Sequence, residues 1–284
     1  MNKKTCTAIL TDRNDDYKTK DRFIYTINSH LDVFDEIIFI DYNTPKGKKP
    51  FIHEIQSGLP KTGKLKNILI TPEIAKKLCS AETRGIEVIN SLAYNIGIRR
   101  ASSDFVVVCA TDIFGPQKIE FDRFVENCDE RVMYTFSRRE LEKDELFKYE
   151  ASDWKRALEH FSKNSVPRYY TGQCTPGDWY SIINCCGDFQ LAPKTLWETI
   201  LGYEEKMIYR NFNDTNVQKK AILKRFRVEA IYDIPIFHVS HDYKSLNVNV
   251  CMNNDPMYWV EFFSKSENTN DWGFPNMKFE MEIL

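Results

Sequence analysis

Short apolar runs rich in β-branched residues alternate with helical patterns over the first half of this 284-residue chain. Such alternation is typical of an α/β fold, in which helices connect parallel strands. The predicted strands are Thr5–Leu10, Glu36–Asp41, Ile68–Ile70, Phe105–Ala110 and Val132–Phe136. Apolar residues recur at helical spacing from Ile86 to Ile96, so we expect a helix there that packs on the sheet.

Further elements are predicted between and after these strands. The segment Asn43–Gly63 is rich in Lys, Pro and Gly, which indicates an exposed excursion between two strands. A charged helix is expected from Glu140 to about Lys163. Further along the chain we predict two helices and a strand, near Lys194–Leu201, Thr215–Lys224 and Val228–Ile231.

Composition excludes several classes of protein. The chain is 42% hydrophobic and 28% charged, which is typical of a globular protein. Its 39 basic and 41 acidic residues give a net charge of -2, so no global positive field is available for nucleic acid. The longest apolar runs are far shorter than a membrane span requires, and no signal peptide is recognisable. We therefore expect a cytoplasmic protein whose eight cysteines, which form no C-x-x-C pair, are reduced.

Polar side chains directly follow three of the predicted strands. Thr11, Asp12 and Arg13 follow the first, Asp41 ends the second, and Thr111-Asp112 follows the fourth. In an open α/β sheet, ligands bind at the carboxyl ends of the strands. Aspartates there can accept hydrogen bonds from ribose hydroxyls or bind Mg²⁺ or Mn²⁺. Each residue alone could be an ordinary turn residue, whereas the set together favours a ligand site.

The chain lacks the usual glycine-rich phosphate motifs, neither a G-x-G-x-x-G after the first strand nor a P-loop. A phosphate group would therefore need a metal ion. His238 and His241 follow the strand-like run Ile234–Phe237 and could complete a metal site with Asp112, although such a pair is often structural. Asp188 and Asp214 are the candidate general bases, and Asp214 could equally be a helix N-cap.

An ordered series of segments resembles GT-A-type nucleotide-sugar glycosyltransferases, above all the inverting family-two group and its bacterial and viral relatives. The resemblance covers about residues 5–243, and the segments are IIFIDYNT, AYNIGIRRASSDF, CATDIF, CCGDFQLAPKTLWETILGYEE, NFNDTNV and IFHVSH. It implies an α/β, Rossmann-like, three-layer α/β/α sandwich with a mixed, mostly parallel sheet. It also implies a nucleotide-binding half (1–136), an acceptor-binding half (137–243) and a C-terminal extension (244–284) that packs on the domain.

The resemblance also assigns roles to the nucleotide-binding residues. It places Thr11, Asp12 and Arg13 beside the nucleotide base, and Asp41 beside the base or ribose. The helix that faces the nucleotide would contribute two further side chains, with an arginine just before it: Asn95, Arg99 and Arg84.

Thr111-Asp112 occupies the place of the family's D-x-D motif. Ala110 replaces the first acid, so only Asp112 of this motif would bind the metal directly. The missing acid strengthens the case for His238 or His241 as a further metal ligand. Asp214 falls in the family's base motif, where Asn213 replaces the first acid, and Asp188 falls on the acceptor-side strand.

The sequence thus predicts a glycosyltransferase that uses Mn²⁺ or Mg²⁺. It would move a sugar from a UDP- or GDP-sugar to a hydroxyl of a glycan or other acceptor, with inversion and with Asp214 as base. One alternative is a sugar-nucleotide pyrophosphorylase, but residues 11–20 contain no glycine for its phosphate loop. The other is a non-catalytic carbohydrate-binding or interaction module, in which the strand-end aspartates would have no function.

Overall fold

The computed structural model describes residues 3–14, 20–78, 88–165, 187–207, 213–241 and 268–284. Nine strands in these residues form one mixed sheet with the order β5-β8-β6-β7-β4-β1-β2-β3-β9. The strands are β1 Cys6–Asp12, β2 Glu36–Tyr42, β3 Leu65–Ile70, β4 Phe105–Cys109, β5 Ile113–Phe114, β6 Val132–Leu141, β7 Phe189–Pro193, β8 Arg227–Val239 and β9 Glu280–Ile283. Strands β1 to β4, β6 and β8 point the same way, whereas β5, β7 and β9 are antiparallel to their neighbours.

Helices cover both faces of this sheet. They are α1 Lys20–Val33, α2 Phe51–Ile55, α3 Pro72–Leu78, α4 Asn90–Arg100, α5 Lys118–Glu126, α6 Lys143–Leu146, α7 Trp154–Asn164, α8 Lys194–Thr199 and α9 Asn213–Leu223. Apolar residues of α1, α2 and α5 belong to the core on one face, and those of α4, α8 and α9 to the core on the other. Because β1, β2 and β4 are buried on both faces, they are almost continuously apolar in sequence.

One glycine sets how closely α4 approaches the sheet. A Cβ atom on Gly97 would lie 2.4 Å from Cγ2 of Ile9 in β1, well inside the normal contact distance. Glycine at this position therefore allows α4 to pack directly on the central strand.

The five strands predicted in the first half are present, with ends that differ by a few residues. The predicted helix from Glu140 is wrong at its start, because β6 continues to Leu141 and α6 and α7 come later. Charged residues within β6 made its end look like a solvated helix. The predicted strand Val228–Ile231 and the run Ile234–Phe237 form one continuous strand, β8.

The segment 43–63 is not simply an exposed excursion. Its lysines and prolines flank α2, in which Phe51 and Ile52 are fully buried, so the prediction is wrong for this short apolar helix. Near the C-terminus, β9 adds to the sheet beside β3, and Trp272 is buried against α4 and the turn at Gly202. The intervening residues 242–267 lie outside the described residues.

The thiols of Cys6, Cys109 and Cys128 are free, and the other five cysteines lie outside the described residues. Among the helices that the structure describes, none is long and apolar enough to cross a bilayer.

Candidate functional site

The carboxyl edge of the sheet brings most of the predicted site residues together. Asp12 ends β1, Asp112 follows β4, and His238 is the next-to-last residue of β8. Asp188 immediately precedes the antiparallel strand β7, so it lies at the same edge. Backbone hydrogen bonds fix two of these positions: the Ala110 amide donates to the Asp188 carbonyl at 2.9 Å, and the Val239 amide donates to the Asp112 carbonyl at 2.9 Å.

Asp112, His238 and His241 form a compact cluster, which we call the Asp-His-His cluster. Oδ2 of Asp112 lies 3.4 Å from Nε2 of His238 and 3.2 Å from Nε2 of His241. One possible ligand atom from each of the three residues lies within 4.8 Å of the others. The second carboxylate oxygen, Oδ1, is buried and has no hydrogen-bond partner among the described residues. The arrangement offers a divalent cation one carboxylate and two imidazoles.

A second carboxylate, that of Glu140, contacts the other ring nitrogen of His238. Oε2 of Glu140 lies 2.6 Å from Nδ1 of His238, on the opposite side of the ring from Asp112. A carboxylate on the outer nitrogen of a metal-binding histidine fixes the ring orientation and raises its basicity. Glu140 and His238 are directly opposite each other on the paired strands β6 and β8, so strand register holds this contact.

The cluster is strongly charged. Burial raises the pKa of Asp112, but hydrogen bonds and charge from His238 and His241 outweigh it and hold the pKa well below its usual range. Burial lowers the pKa of His238, but its bonds with Asp112 and Glu140 outweigh this effect and leave the pKa raised. The carboxylates therefore stay ionised in a partly buried place that favours a cation.

Asp12 is connected to this cluster by Thr111, the residue that precedes Asp112. The Thr111 hydroxyl donates to Oδ2 of Asp12 at 2.9 Å, and the Arg13 amide donates to Oδ1 at 2.8 Å. The Thr11 hydroxyl instead donates to the Ile40 carbonyl at 2.9 Å. Asp12 is thus the strand-end carboxylate that adjoins the Asp-His-His cluster.

Asp41 organises the chain that follows β2. Its carboxylate accepts hydrogen bonds from the Thr44 hydroxyl and from the Phe51 amide at the start of α2. Burial raises the pKa of Asp41, and these two hydrogen bonds oppose the rise. Contact of Asp41 with a nucleotide stays a prediction.

Asn95 and Arg99 contact a different part of the molecule. The Asn95 amide donates to the Tyr203 carbonyl at 2.8 Å, and its oxygen accepts from the Tyr203 amide at 2.8 Å. Arg99 donates to the Asn270 carbonyl at 3.2 Å, and its guanidinium lies 4.9 Å from the Trp272 ring centre. Because α4 leads into the amino end of β4, its last turn points away from the carboxyl edge.

These contacts of Asn95 and Arg99 do not connect either residue with Asp112. Arg84 lies outside the described residues. A nucleotide-binding role for Asn95, Arg99 and Arg84 stays a prediction.

One candidate base, Asp214, lies against the residue that precedes the other, Asp188. A Cβ atom on Gly187 would lie only 2.0 Å from Cβ of Asp214, so the residue before Asp188 contacts Asp214 directly. Asp214 is in the first turn of α9, and burial raises the pKa of its carboxyl against opposing backbone hydrogen bonds from Thr215 and Gly187. Asp188 differs, because its carboxylate forms an ion pair with Arg138.

Two residues of this site, Arg138 and Glu140, are not among those that the sequence predicts. They lie two positions apart in β6 and therefore on the same face of the strand. Their spacing of two residues would have placed them on one face if Val132–Leu141 had been interpreted as one long strand.

No protein-family model matches the chain, and no curated protein matches its sequence. Solved structures do match its fold. One is a mannosyltransferase from Pyrobaculum calidifontis in complex with GDP-mannose and Mn²⁺, with a TM-score of 0.51 and 13% sequence identity. The match covers 96% of this chain and 73% of that chain. At this identity the likeness shows a shared fold alone.

Proposed function

We propose that this chain is a GT-A-type glycosyltransferase of three-layer α/β/α architecture. It transfers a sugar from a UDP- or GDP-sugar to a hydroxyl of a glycan or other acceptor. The observation that carries the proposal is the Asp-His-His cluster at the carboxyl edge of the sheet, beside Asp12. The fold likeness to a mannosyltransferase that binds GDP-mannose and Mn²⁺ supports it.

Asp112, His238 and His241 would hold the metal ion. Their donor set fits a divalent cation, because Asp112 keeps a buried oxygen without a hydrogen-bond partner among the described residues. Mn²⁺ and Mg²⁺ both suit the carboxylate, and the two imidazoles favour Mn²⁺, since Mg²⁺ prefers oxygen ligands. When bound, such an ion supplies positive charge that stabilises the diphosphate as it leaves.

The nucleoside lies toward β1 and β2 in this proposal. Asp12 accepts hydrogen bonds from the Thr111 hydroxyl and from the Arg13 amide, and a carboxylate at this strand end is of the type that binds ribose hydroxyls. Thr11, Arg13 and Asp41 line the adjacent strand ends. These contacts would position the donor with its diphosphate next to Asp112.

Asp214 is the proposed base. It takes the proton of the acceptor hydroxyl while the hydroxyl oxygen forms a bond to the anomeric carbon. The bond from that carbon to the diphosphate oxygen breaks, and the diphosphate keeps the electron pair. Burial raises the pKa of Asp214, which makes it a stronger base than an exposed aspartate. Attack from the face opposite the diphosphate inverts the anomeric centre.

Asp188 has a supporting role in this scheme. Its ion pair with Arg138 holds the carboxylate in place, which suits a residue that binds sugar hydroxyls. Gly187 has no side chain, which lets Asp214 pack against the backbone that leads into Asp188.

A thermal-shift experiment with GDP, UDP and CDP, each with and without Mn²⁺, tests the proposal. At a concentration of 100 times Kd, a ligand adds about 2.7 kcal/mol to the free energy of unfolding, which raises Tm by about 5–10 °C in a chain of this length. We expect one nucleotide to give such a shift, and only with the metal. Asp112→Asn should abolish the shift, whereas the matched control His160→Gln, on α7 outside the cluster, should keep it.

Absence of any nucleotide-dependent shift would contradict the proposal and favour a non-catalytic binding module. Formation of a nucleotide sugar from a nucleoside triphosphate and a sugar 1-phosphate would favour the pyrophosphorylase alternative.

A further inference from the structure

Arg138 connects the Asp-His-His cluster, through Glu140, with Asp188, one of the two candidate bases. The pairing of β6 with β8 shifts register between Phe136 and Arg138, a local irregularity of the kind that redirects side chains near functional sites. The Arg138 side chain is only 8% exposed. A buried guanidinium cannot lose its charge, so it must be matched by carboxylates.

Two carboxylates share this guanidinium. Nε of Arg138 donates to Oε1 of Glu140 at 2.9 Å, and a terminal nitrogen donates to Oδ2 of Asp188. The planar fork of arginine presents donors in fixed directions, so it holds both carboxylates at one mutual geometry. Lysine carries the same charge but lacks this fork.

Glu140 uses its other oxygen for the metal cluster. Oε2 lies 2.6 Å from Nδ1 of His238, whose Nε2 faces Asp112 at 3.4 Å. The contacts therefore form one continuous chain from Asp188 through Arg138, Glu140 and His238 to Asp112. Arg138, Glu140 and His238 each use different atoms for these two neighbours, so the contacts named here can form at the same time.

We propose that Arg138 is the positioning residue that couples the metal site to the aspartate that holds the sugar. This inference rests on the proposed function and deepens it. Through Glu140, Arg138 fixes the ring of His238 for the metal. Through its ion pair with Asp188, it fixes the carboxylate that follows Gly187, the residue in contact with Asp214. A single side chain thus sets the metal ligands and the substrate-holding carboxylate at one relative position.

Arg138→Lys tests this role, because it keeps the charge and removes the fork. Arg139→Lys is the matched control: Arg139 is the next residue, its side chain donates to Ser165 outside this chain of contacts, and strand alternation puts it on the other face. Three quantities are measured for each variant: Tm, the Kd for Mn²⁺ from paramagnetic resonance titration, and the kcat and KM of donor turnover at saturating Mn²⁺.

For Arg138→Lys we expect the Kd for Mn²⁺ to rise about tenfold, the lower range for loss of a partner behind a metal ligand. At saturating metal we expect kcat to fall about 10²-fold with little change in the KM for donor, as for a misplaced reacting group. Arg139→Lys should change neither quantity.

Two outcomes overturn the inference in distinguishable ways. If wild-type protein binds Mn²⁺ and turns over donor, and Arg138→Lys lowers Tm without changing Kd or kcat, Arg138 is merely structural and the proposed function survives. If wild-type protein binds neither Mn²⁺ nor nucleotide, the proposed function itself fails, and the inference fails with it.

Discussion

Replacing Gly187 by alanine forces Asp214 and the backbone before Asp188 apart without removing any functional group. The new Cβ would lie 2.0 Å from Cβ, 2.6 Å from Cγ and 2.5 Å from Oδ2 of Asp214. Because nonbonded carbon atoms pack at about 3.5–4.0 Å, Asp214 or the backbone at residue 187 must move by about 1.5–2 Å. A shift of this size in a catalytic group costs about 10²-fold in turnover.

Release of nucleoside diphosphate from the preferred donor measures this loss, and urea denaturation measures the accompanying destabilisation, about 1–3 kcal/mol for overpacking. The Mn²⁺-dependent nucleotide shift in Tm should remain, because Asp112, His238 and His241 keep their contacts.

Gly63→Ala serves as the control. A Cβ at Gly63 meets no atom within 4 Å, but its positive φ of 68° makes the variant less stable without touching the site. Wild-type turnover in Gly187→Ala, or an equal loss of turnover in Gly63→Ala, would refute a catalytic position for Asp214.

Three further predictions concern pH and packing. Burial lowers the pKa of His30 to about 4, with backbone hydrogen bonds opposing, so the unfolded chain takes up this proton first as the pH falls. The free energy of unfolding should therefore drop by about 2 kcal/mol from this group between pH 7 and pH 5, and an unchanged pH slope in His30→Asn would contradict this. The raised pKa of His238 implies that protons compete with the metal, so Mn²⁺ affinity should fall by about tenfold per pH unit below that pKa; a titration that shows no pH dependence would count against His238 as a ligand. Gly97→Ala should destabilise the fold by about 1–3 kcal/mol because its Cβ would meet Ile9, and an unchanged urea midpoint would show that α4 can move away.

The strands and their polar ends were predictable because burial on both faces makes a strand nearly continuous in apolar residues. The position of Asp112 after β4 and of His238 near the end of β8 follows from this pattern and from the rule that parallel strands end at one edge. The sequence only suggests that His241 could approach Asp112; the contact itself depends on the three-dimensional fold.

The contacts of Arg138 were not predictable from local pattern. They depend on β6 lying between β7 and β8, and strand order is not encoded in the hydrophobic period of any one segment. The charged residues in the second half of β6 also resemble a solvated helix, so Glu140 was assigned to a predicted helix and not to the strand beside His238. The contact of Asp214 with Gly187 depends likewise on the close approach of residue 187 to α9, which is a long-range packing contact.

A crystal structure of the protein with Mn²⁺ and its preferred nucleoside diphosphate tests the central claim most directly, since anomalous scattering locates the ion. We expect one Mn²⁺ at about 2–2.5 Å from a carboxylate oxygen of Asp112 and from the nearest nitrogens of His238 and His241, with diphosphate oxygens completing its coordination. The ribose should lie beside Asp12. A metal peak elsewhere, or a nucleotide bound away from the carboxyl edge of the sheet, would contradict the account.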